Sequence, residues 1–495
     1  MHQALLFNVH ILGVRRPTGA HRIASFLREH DWDIEVIDYA RNFTYHELEE
    51  VARMRITSKT VFVGFSSFFS YWEPKFDQFI DWIKATWPHV KILVGGQSRP
   101  RIESKKVDYY IHGYGEYAVL EIVKNLIGNS TGNIILDPLY LGEKKVISAN
   151  KFYPSFPMKS LRIKYEDRDF LQPWEWLTME FSRGCKFKCA YCNFPILGVK
   201  GDYSRDAEDF ELELKDTYDR FGISNYYVAD ETFNDRTEKI EKFANVVAKT
   251  DINPVFSGFI RADLLVSRKQ DWEPLAQLGF FGHFYGVETF NHETGKAVGK
   301  GMDPKKLQEG LLEAKQWFKA RGPYRGSIGI VIGLPYETVE SQLATFKWLE
   351  DNWQGECAHF WPLEIPIDPK KDVLSTMSER WDQFGYRIGD KEPPAPPPEF
   401  QWKTVNGGRI NHGISNIYWE NDNMTYAQAC ELSNQQYVRL LRKELNFGIS
   451  MFNYGDFMLD SRDIDTVLKQ NGIDITPEMD TAPYEKAYVR KKLNR

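Results

Sequence analysis

The stretch that decides the reading is SRGCKFKCAYCNFP, Ser182 to Pro195, which sets Cys185, Cys189 and Cys192 within eight residues of one another. The whole chain of 495 residues owns only five cysteines. Their C-x3-C-x2-C spacing places three thiols in a tight loop directly after a predicted strand, LTMEFS (Leu177–Ser182). Structural zinc takes four Cys or His ligands, and the nearest histidines, His112 and His283, lie far off in sequence. A disulfide would leave one thiol over. A four-iron cluster is held by cysteine thiolates, and three of them leave one iron open to a small chelating molecule. Spacing alone leaves the cluster, zinc with a remote fourth ligand, and chance crowding all open.

Outward from this loop, LTMEFS is the first of six strand candidates. The others are NYYVAD (Asn225–Asp230), VFSGFI (Val255–Ile260), HFYGVE (His283–Glu288), SIGIVIG (Ser327–Gly333) and AHFWPLE (Ala358–Glu364), separated by amphipathic helical segments. Six such units over residues 176–375 predict a curved partial barrel, with active residues at the carboxyl ends of its strands. Residues 1–145 repeat the alternation with ALLFNV, IEVID, VFVGFS, KILVGG and DYYIHG, which predicts a parallel sheet with helices on both faces. Residues 146–175 read as a linker. Residues 376–495 read as a helical extension, entered through the proline-rich connector KEPPAPPPEF (391–400) and carrying one long helix in TYAQACELSNQQYVRLLRKEL.

The bulk numbers exclude several classes. Net charge is −6, which argues against a general appetite for nucleic acid, and the basic run RPRIESKK (Arg99–Lys106) reads as a solvated loop. No apolar run approaches the roughly 20 residues that span a bilayer, and the amino terminus lacks a secretory pattern. An odd, clustered cysteine set fits a reducing cytoplasm. Cys357 and Cys430 read as core thiols, and Phe68, Phe69, Tyr71 and Trp72 as packing residues.

The cysteine loop resembles the cluster motif of the radical S-adenosylmethionine (SAM) superfamily, C-x3-C-x-aromatic-C, with Tyr191 in the aromatic place. The resemblance implies a 4Fe-4S cluster on Cys185, Cys189 and Cys192, and SAM on its open iron. It further implies that VADETFN supplies Asp230, Glu231 and Thr232 near the SAM amino group, in place of the more usual Gly-Gly-Glu. Glu288 of GVETFN matches the ribose-contacting segment; in GIVIGLPYET, Gly329, Gly333, Pro335 and Glu337 match the segment that packs against adenine. Arg261 of FIRAD stands where a guanidinium can pair with a carboxylate. The plainer reading makes Glu288 and Glu337 helix caps and Arg261 with Asp263 a surface pair.

The first 145 residues resemble the cobalamin-binding domain that precedes the radical SAM barrel in a large subfamily. Gly95 and Gly96 would admit a corrin side chain or nucleotide tail. The Asp-x-His-x-x-Gly segment that supplies a lower axial histidine in some cobalamin proteins is absent, and His10 in NVHILGVRRPTG is not assigned as a ligand. The implied fold is α/β: a Rossmann-like (flavodoxin-like) cobalamin-binding-type domain, a partial (β/α)6 radical SAM barrel and a small helical extension. The implied enzyme is cytoplasmic, takes electrons from a reductant such as flavodoxin or ferredoxin, cleaves SAM to a 5′-deoxyadenosyl radical and, with cobalamin, methylates an unactivated carbon. The alternatives are a radical SAM rearrangement, oxidation, thiolation or coupling without cobalamin, and a zinc-stabilised scaffold protein. No substrate is legible.

Overall fold

ALLFNV, VFVGFS and KILVGG are apolar at nearly every position, as strands covered on both faces must be. They form the centre of a six-stranded, all-parallel sheet in this computed structural model. It describes residues 2–9, 15–67, 72–96, 104–129, 132–140, 145–153, 161–173, 175–192, 203–367, 375–389, 415–441 and 482–494. His10, Phe68, Phe69, Tyr71, the proline-rich connector and most of RPRIESKK lie outside the described residues.

In chain order the strands are β1 (His2–Val9), β2 (Arg15–Arg16), β3 (Trp32–Ile37), β4 (Thr60–Ser67), β5 (Lys91–Gly96), β6 (Tyr109–His112) and β7 (Val146–Ser148). The first sheet runs β3-β1-β4-β5-β6-β7. Counted within the domain, its first five strands follow the flavodoxin-like order 2-1-3-4-5. Side chains alternate between two cores: Leu5, Phe7, Val63 and Phe65 meet Phe76, Phe79 and Ile83 on one face. Leu6, Ile34, Val36 and Phe62 meet Ala24, Leu27 and Ile122 on the other. Burying each large apolar side chain contributes about 1.5–3 kcal/mol. β7 is one strand more than the sequence predicts, and it falls inside the expected linker.

The second sheet is built from β8 (Trp176–Met179), β11 (Asn225–Val228), β12 (Val255–Ile260), β13 (Phe280–Glu288), β14 (Arg325–Ile332) and β15 (Cys357–Pro362), with β9 (Ser182–Arg183) and β10 (Tyr203–Ser204) forming a small antiparallel pair beside it. The order β15-β14-β13-β12-β11-β8 is sequential and parallel throughout, with a two-residue edge added by β2 from the first domain. All six strands expected of the partial barrel are present. Tyr226, Val228, Phe256, Ile260, Tyr285, Ile328 and Ile330 face the surrounding helices and form the largest core. By strand alternation Thr178, Tyr227, Phe259, Phe284, Ser327, His359 and Trp361 take the opposite, inward face.

Two tertiary connections were not expected. Arg16, fully buried, donates to Asp38 (2.7 Å), to both oxygens of Glu175 (2.5 and 3.1 Å) and to the Asp169 carbonyl (2.8 Å), so one guanidinium joins the first sheet, the connecting segment and the foot of β8. The helix Ala482–Leu493 returns to the first domain, where the Tyr488 hydroxyl accepts from the Asp38 amide (2.9 Å) and Lys492 pairs with Glu35 (2.7 Å). The helix Tyr426–Leu441 packs instead on the barrel, where Ser433 donates to the Phe360 carbonyl (2.7 Å). The extension also contains a short strand pair, Arg387–Ile388 with Trp419–Glu420, which its sequence gave no reason to expect.

Candidate active site

The chain leaves β8 at Met179, passes through β9 and turns at Gly184, whose φ of +87° is a conformation that favours glycine. The cysteine loop follows. Cys185, Cys189 and Cys192 form no disulfide, and each is partly exposed. Cys192 N donates to the Cys189 carbonyl (3.0 Å), Ala190 N to the Val298 carbonyl (3.2 Å), and Met377 N to the Ala190 carbonyl (2.9 Å), so the loop is held between the end of a barrel helix and the carboxyl-terminal extension. Lys186 ties its start to the Asp235 carbonyl (2.7 Å).

Polar groups reach two of the sulfurs. The Thr232 hydroxyl lies 3.8 Å from Cys185 Sγ, and Arg261 Nη1 lies 3.5 Å from Cys189 Sγ. The Arg261 guanidinium sits over the Phe187 ring (4.0 Å), pairs with Asp263 (2.8 Å) and donates to the Gly299 carbonyl (2.9 Å). It is buried, so it is not a surface pair; it does pair with Asp263, and it also reaches the loop. Burial pushes the Cys185 thiol up, opposed chiefly by the Phe187 backbone.

Asp230 and Glu231, adjacent in sequence, are used differently. Asp230 is fully buried and accepts from Phe181 N (2.8 Å), Ser182 N (3.0 Å) and the Ser182 hydroxyl (2.5 Å), with Lys239 3.7 Å away. Burial pushes its carboxyl up to about 6. It fixes the β8–β9 backbone that leads into the cysteines. Glu231 accepts the Tyr114 hydroxyl on Oε1 (3.1 Å), and its Oε2 is buried with no hydrogen-bond partner. Burial, with Asp230 beside it, pushes this carboxyl up to about 7. Thr232 donates to the Glu231 backbone carbonyl (2.7 Å).

Around the rim, Glu288 has a φ of +69°, a strained conformation for a side chain other than glycine. It lies 3.6 Å from Lys300 and hydrogen-bonds Tyr191, whose phenol burial holds well above its ordinary range. Glu337 accepts the Thr289 and Ser341 hydroxyls, while the following helix is capped by Thr338, whose hydroxyl accepts from Ser341 N, so Glu337 is not the cap. The side-chain direction of Gly329 points at Trp361 and Phe284 (3.0 and 3.2 Å), and that of Gly333 (φ +90°) at Trp419, so their missing side chains make room for the protein's own rings. The Pro335 carbonyl accepts the Thr294 hydroxyl (2.6 Å). In the first domain a side chain at Gly95 would meet nothing nearer than the Ile111 carbonyl at 3.6 Å, and the Gly96 carbonyl accepts from Gly113 N (3.3 Å).

Sequence reasoning missed Tyr114, Glu116 and Arg183. Arg183, two residues before Cys185, pairs with Glu116 of the first domain (2.6 Å) and with Glu180 (2.9 Å), and its guanidinium lies over the Tyr114 ring (4.2 Å). Arg183 and Arg22 hold the Glu116 carboxyl down at about 2 against the upward push of burial. The signals were the close glycines in HGYGE and an arginine directly ahead of the Gly-Cys turn.

The donor set fits an iron–sulfur cluster: three thiols outside any disulfide in one loop, with the Arg261 guanidinium as a hydrogen-bond donor at Cys189. The zinc alternative needs a fourth ligand; among the described residues no three His, Cys, Asp or Glu side chains gather as ligands of a single ion, the three loop sulfurs included, so this geometry does not separate zinc from iron. Both nitrogens of His283 are engaged, with the Phe280 carbonyl and the Tyr285 hydroxyl (2.8 Å each).

Residues 179–349 match the model of the Radical SAM superfamily. An uncharacterized methyltransferase of Pyrococcus horikoshii is 21% identical over 351 residues, covering 67% of this chain and 72% of its own length. Two solved structures share the whole fold. The radical S-adenosylmethionine methyltransferase TsrM from Kitasatospora setae, with cobalamin and a 4Fe-4S cluster bound, aligns at a TM-score of 0.63 and 14% identity over 99% of each chain. OxsB, a cobalamin-dependent S-adenosylmethionine radical enzyme with aqua-cobalamin and S-adenosylmethionine bound, aligns at 0.63 and 15% identity over 99% of this chain and 75% of its own. The matched residues, the six parallel strands and the cysteine loop coincide, so residues 179–349 are similar to the Radical SAM superfamily and lie behind a Rossmann-like domain, as in the two solved structures.

Proposed function

We propose that this protein is a radical SAM enzyme that holds a 4Fe-4S cluster on Cys185, Cys189 and Cys192, binds SAM beside it, and works with cobalamin carried by the first domain to methylate a carbon of its substrate. The observation that carries the reading is the meeting of the two domains at the cysteine loop. β6 and β11 present their carboxyl ends to each other, and Tyr114 just beyond the first bonds Glu231 just beyond the second. Ligands of parallel sheets bind at such ends, and both domains offer them to the same space. TsrM and OxsB, with the same fold, have cobalamin bound in their structures.

When bound, the cluster supplies one electron for cleaving SAM, and cobalamin supplies a transferable methyl group. The chain's own residues bind and orient. Glu231 offers its unpartnered oxygen to the SAM amino group, Thr232 lies beside the Cys185 sulfur, Arg261 supports charge on Cys189, and Asp230 keeps the loop in place. Phe259, Phe284 and Trp361 on the inward face keep water from the reacting groups. A reductant such as flavodoxin or ferredoxin supplies the electron.

The test is anaerobic reconstitution of the full chain with iron, sulfide and hydroxocobalamin, followed by SAM and dithionite. About four irons per chain, a corrinoid absorption band, and S-adenosylhomocysteine with 5′-deoxyadenosine are expected. Cys189→Ala should lose the cluster and all SAM turnover, and full activity in that variant refutes the assignment. Zinc without iron returns the chain to the scaffold reading. The missing Asp-x-His-x-x-Gly segment favours a second reading, the same SAM chemistry without cobalamin, which a loaded cluster with no corrinoid band would select.

A further inference from the structure

The turn after β6 carries the sequence His112-Gly113-Tyr114-Gly115-Glu116, and its geometry is fixed on the first-domain side. Gly113 has a φ of +95°, and a side chain there would strike Asn150 at 3.0 Å. Asn150 Oδ1 in turn accepts the Tyr114 amide (3.0 Å). Glu116 opens the next helix and reaches both Arg22 (3.3 Å) and Arg183 (2.6 Å), and Arg183 covers the Tyr114 ring at 4.2 Å. The phenol is therefore held at backbone and ring, and its hydroxyl ends on Glu231 Oε1 (3.1 Å). The other oxygen of that carboxylate is buried and accepts nothing. A carboxylate anchored through one oxygen and bare at the other is poised for a donor from outside the chain.

We infer that Tyr114 is a positioning residue through which the Rossmann-like domain holds Glu231 of the barrel in the orientation that receives the SAM ammonium group. The inference rests on the proposed SAM site at Glu231 and adds a specific link: the first domain does more than carry its own ligand, because it also sets the acceptor for SAM. Tyr114 touches neither SAM nor cluster; it acts through Glu231.

Equilibrium dialysis of SAM against the cluster-loaded full chain tests it, with iron content and melting temperature measured in parallel. Tyr114→Phe keeps the ring beneath Arg183 and removes only the hydroxyl. It should weaken SAM binding about three- to tenfold with iron content at the wild-type value. A double-mutant cycle separates positioning from a merely structural role: once Glu231→Ala has removed the carboxylate, adding Tyr114→Phe should cost less than about another twofold. Unchanged SAM affinity in Tyr114→Phe, or full additivity in the cycle, overturns the inference while leaving the SAM site standing. A wild-type chain that loads iron yet binds no SAM overturns the underlying reading and the inference with it.

Discussion

At Arg16 and at Tyr114 the first domain meets the rest of the chain through buried polar groups, and the two joints differ in what they leave over. Around Arg16 every carboxylate oxygen of Asp38 and Glu175 has a donor: Asn8, His21 and Arg16 serve Asp38, while Arg16, Gln172 and Tyr39 serve Glu175. Around Tyr114 the ion pairs of Arg183 and Glu116 are equally close, yet Glu231 keeps one oxygen without a donor. Asn8 Oδ1, His21 Nδ1 and Asp169 Oδ1 near Arg16 are also buried without a partner, so the difference is one of place: the bare oxygen of Glu231 stands beside the cysteine loop, where an unsatisfied group points to a ligand.

The largest effect belongs to the first joint. Arg16→Met strands two buried carboxylates and should cost about 3–5 kcal/mol, read as a shifted urea midpoint; a loss under about 1 kcal/mol would break the comparison, since the joint would then not be structural. Glu231→Gln should do the reverse, keeping fold and iron content while weakening SAM binding about 10- to 100-fold, measured by dialysis. If it unfolds the protein instead, the two joints are alike.

pH sharpens the contrast within the second joint. The folded-state pKa of Glu231 is raised to about 7 by burial, so its contribution to stability is present below its unfolded value and is lost as pH rises through 7. In thermal melts of the iron-free chain, Glu231→Gln should match wild type near pH 5 and exceed it near pH 8. Glu116 is depressed to about 2, so its contribution is present above its unfolded value and is lost as pH falls through 2. The smallest effect is expected away from both joints. Cys357, buried on β15, should tolerate Cys357→Ala at a cost of about 1 kcal/mol with no change in iron loaded.

How much of this was legible in the sequence follows from the range of the interactions. The eleven strands first read from the sequence are all present, because long apolar runs and helical spacing are local signals. β2 and β7 were missed because two or three residues carry no period. Nothing in RRPTG marks Arg16 as a joint, and only the folded chain buries it among partners up to 159 residues away. The cysteine loop announced itself through its spacing. The division of labour between Asp230 and Glu231 did not, since it depends on Ser182 and Tyr114 arriving from elsewhere. The glycines at 329 and 333 were visible, but the rings that fill their space come from β13, β15 and the extension.

The returning helix Ala482–Leu493 has a consequence for timing on the ribosome. The Asp38 amide waits for the Tyr488 hydroxyl, and Glu35 waits for Lys492, partners 450 and 457 residues further along the chain. At about 5–20 residues per second, that interval is roughly 20–90 seconds. During it, one edge of the first domain stands unfinished. Interrupted chains would keep that edge exposed, because the helix that covers it is made only after the barrel that separates the two in sequence.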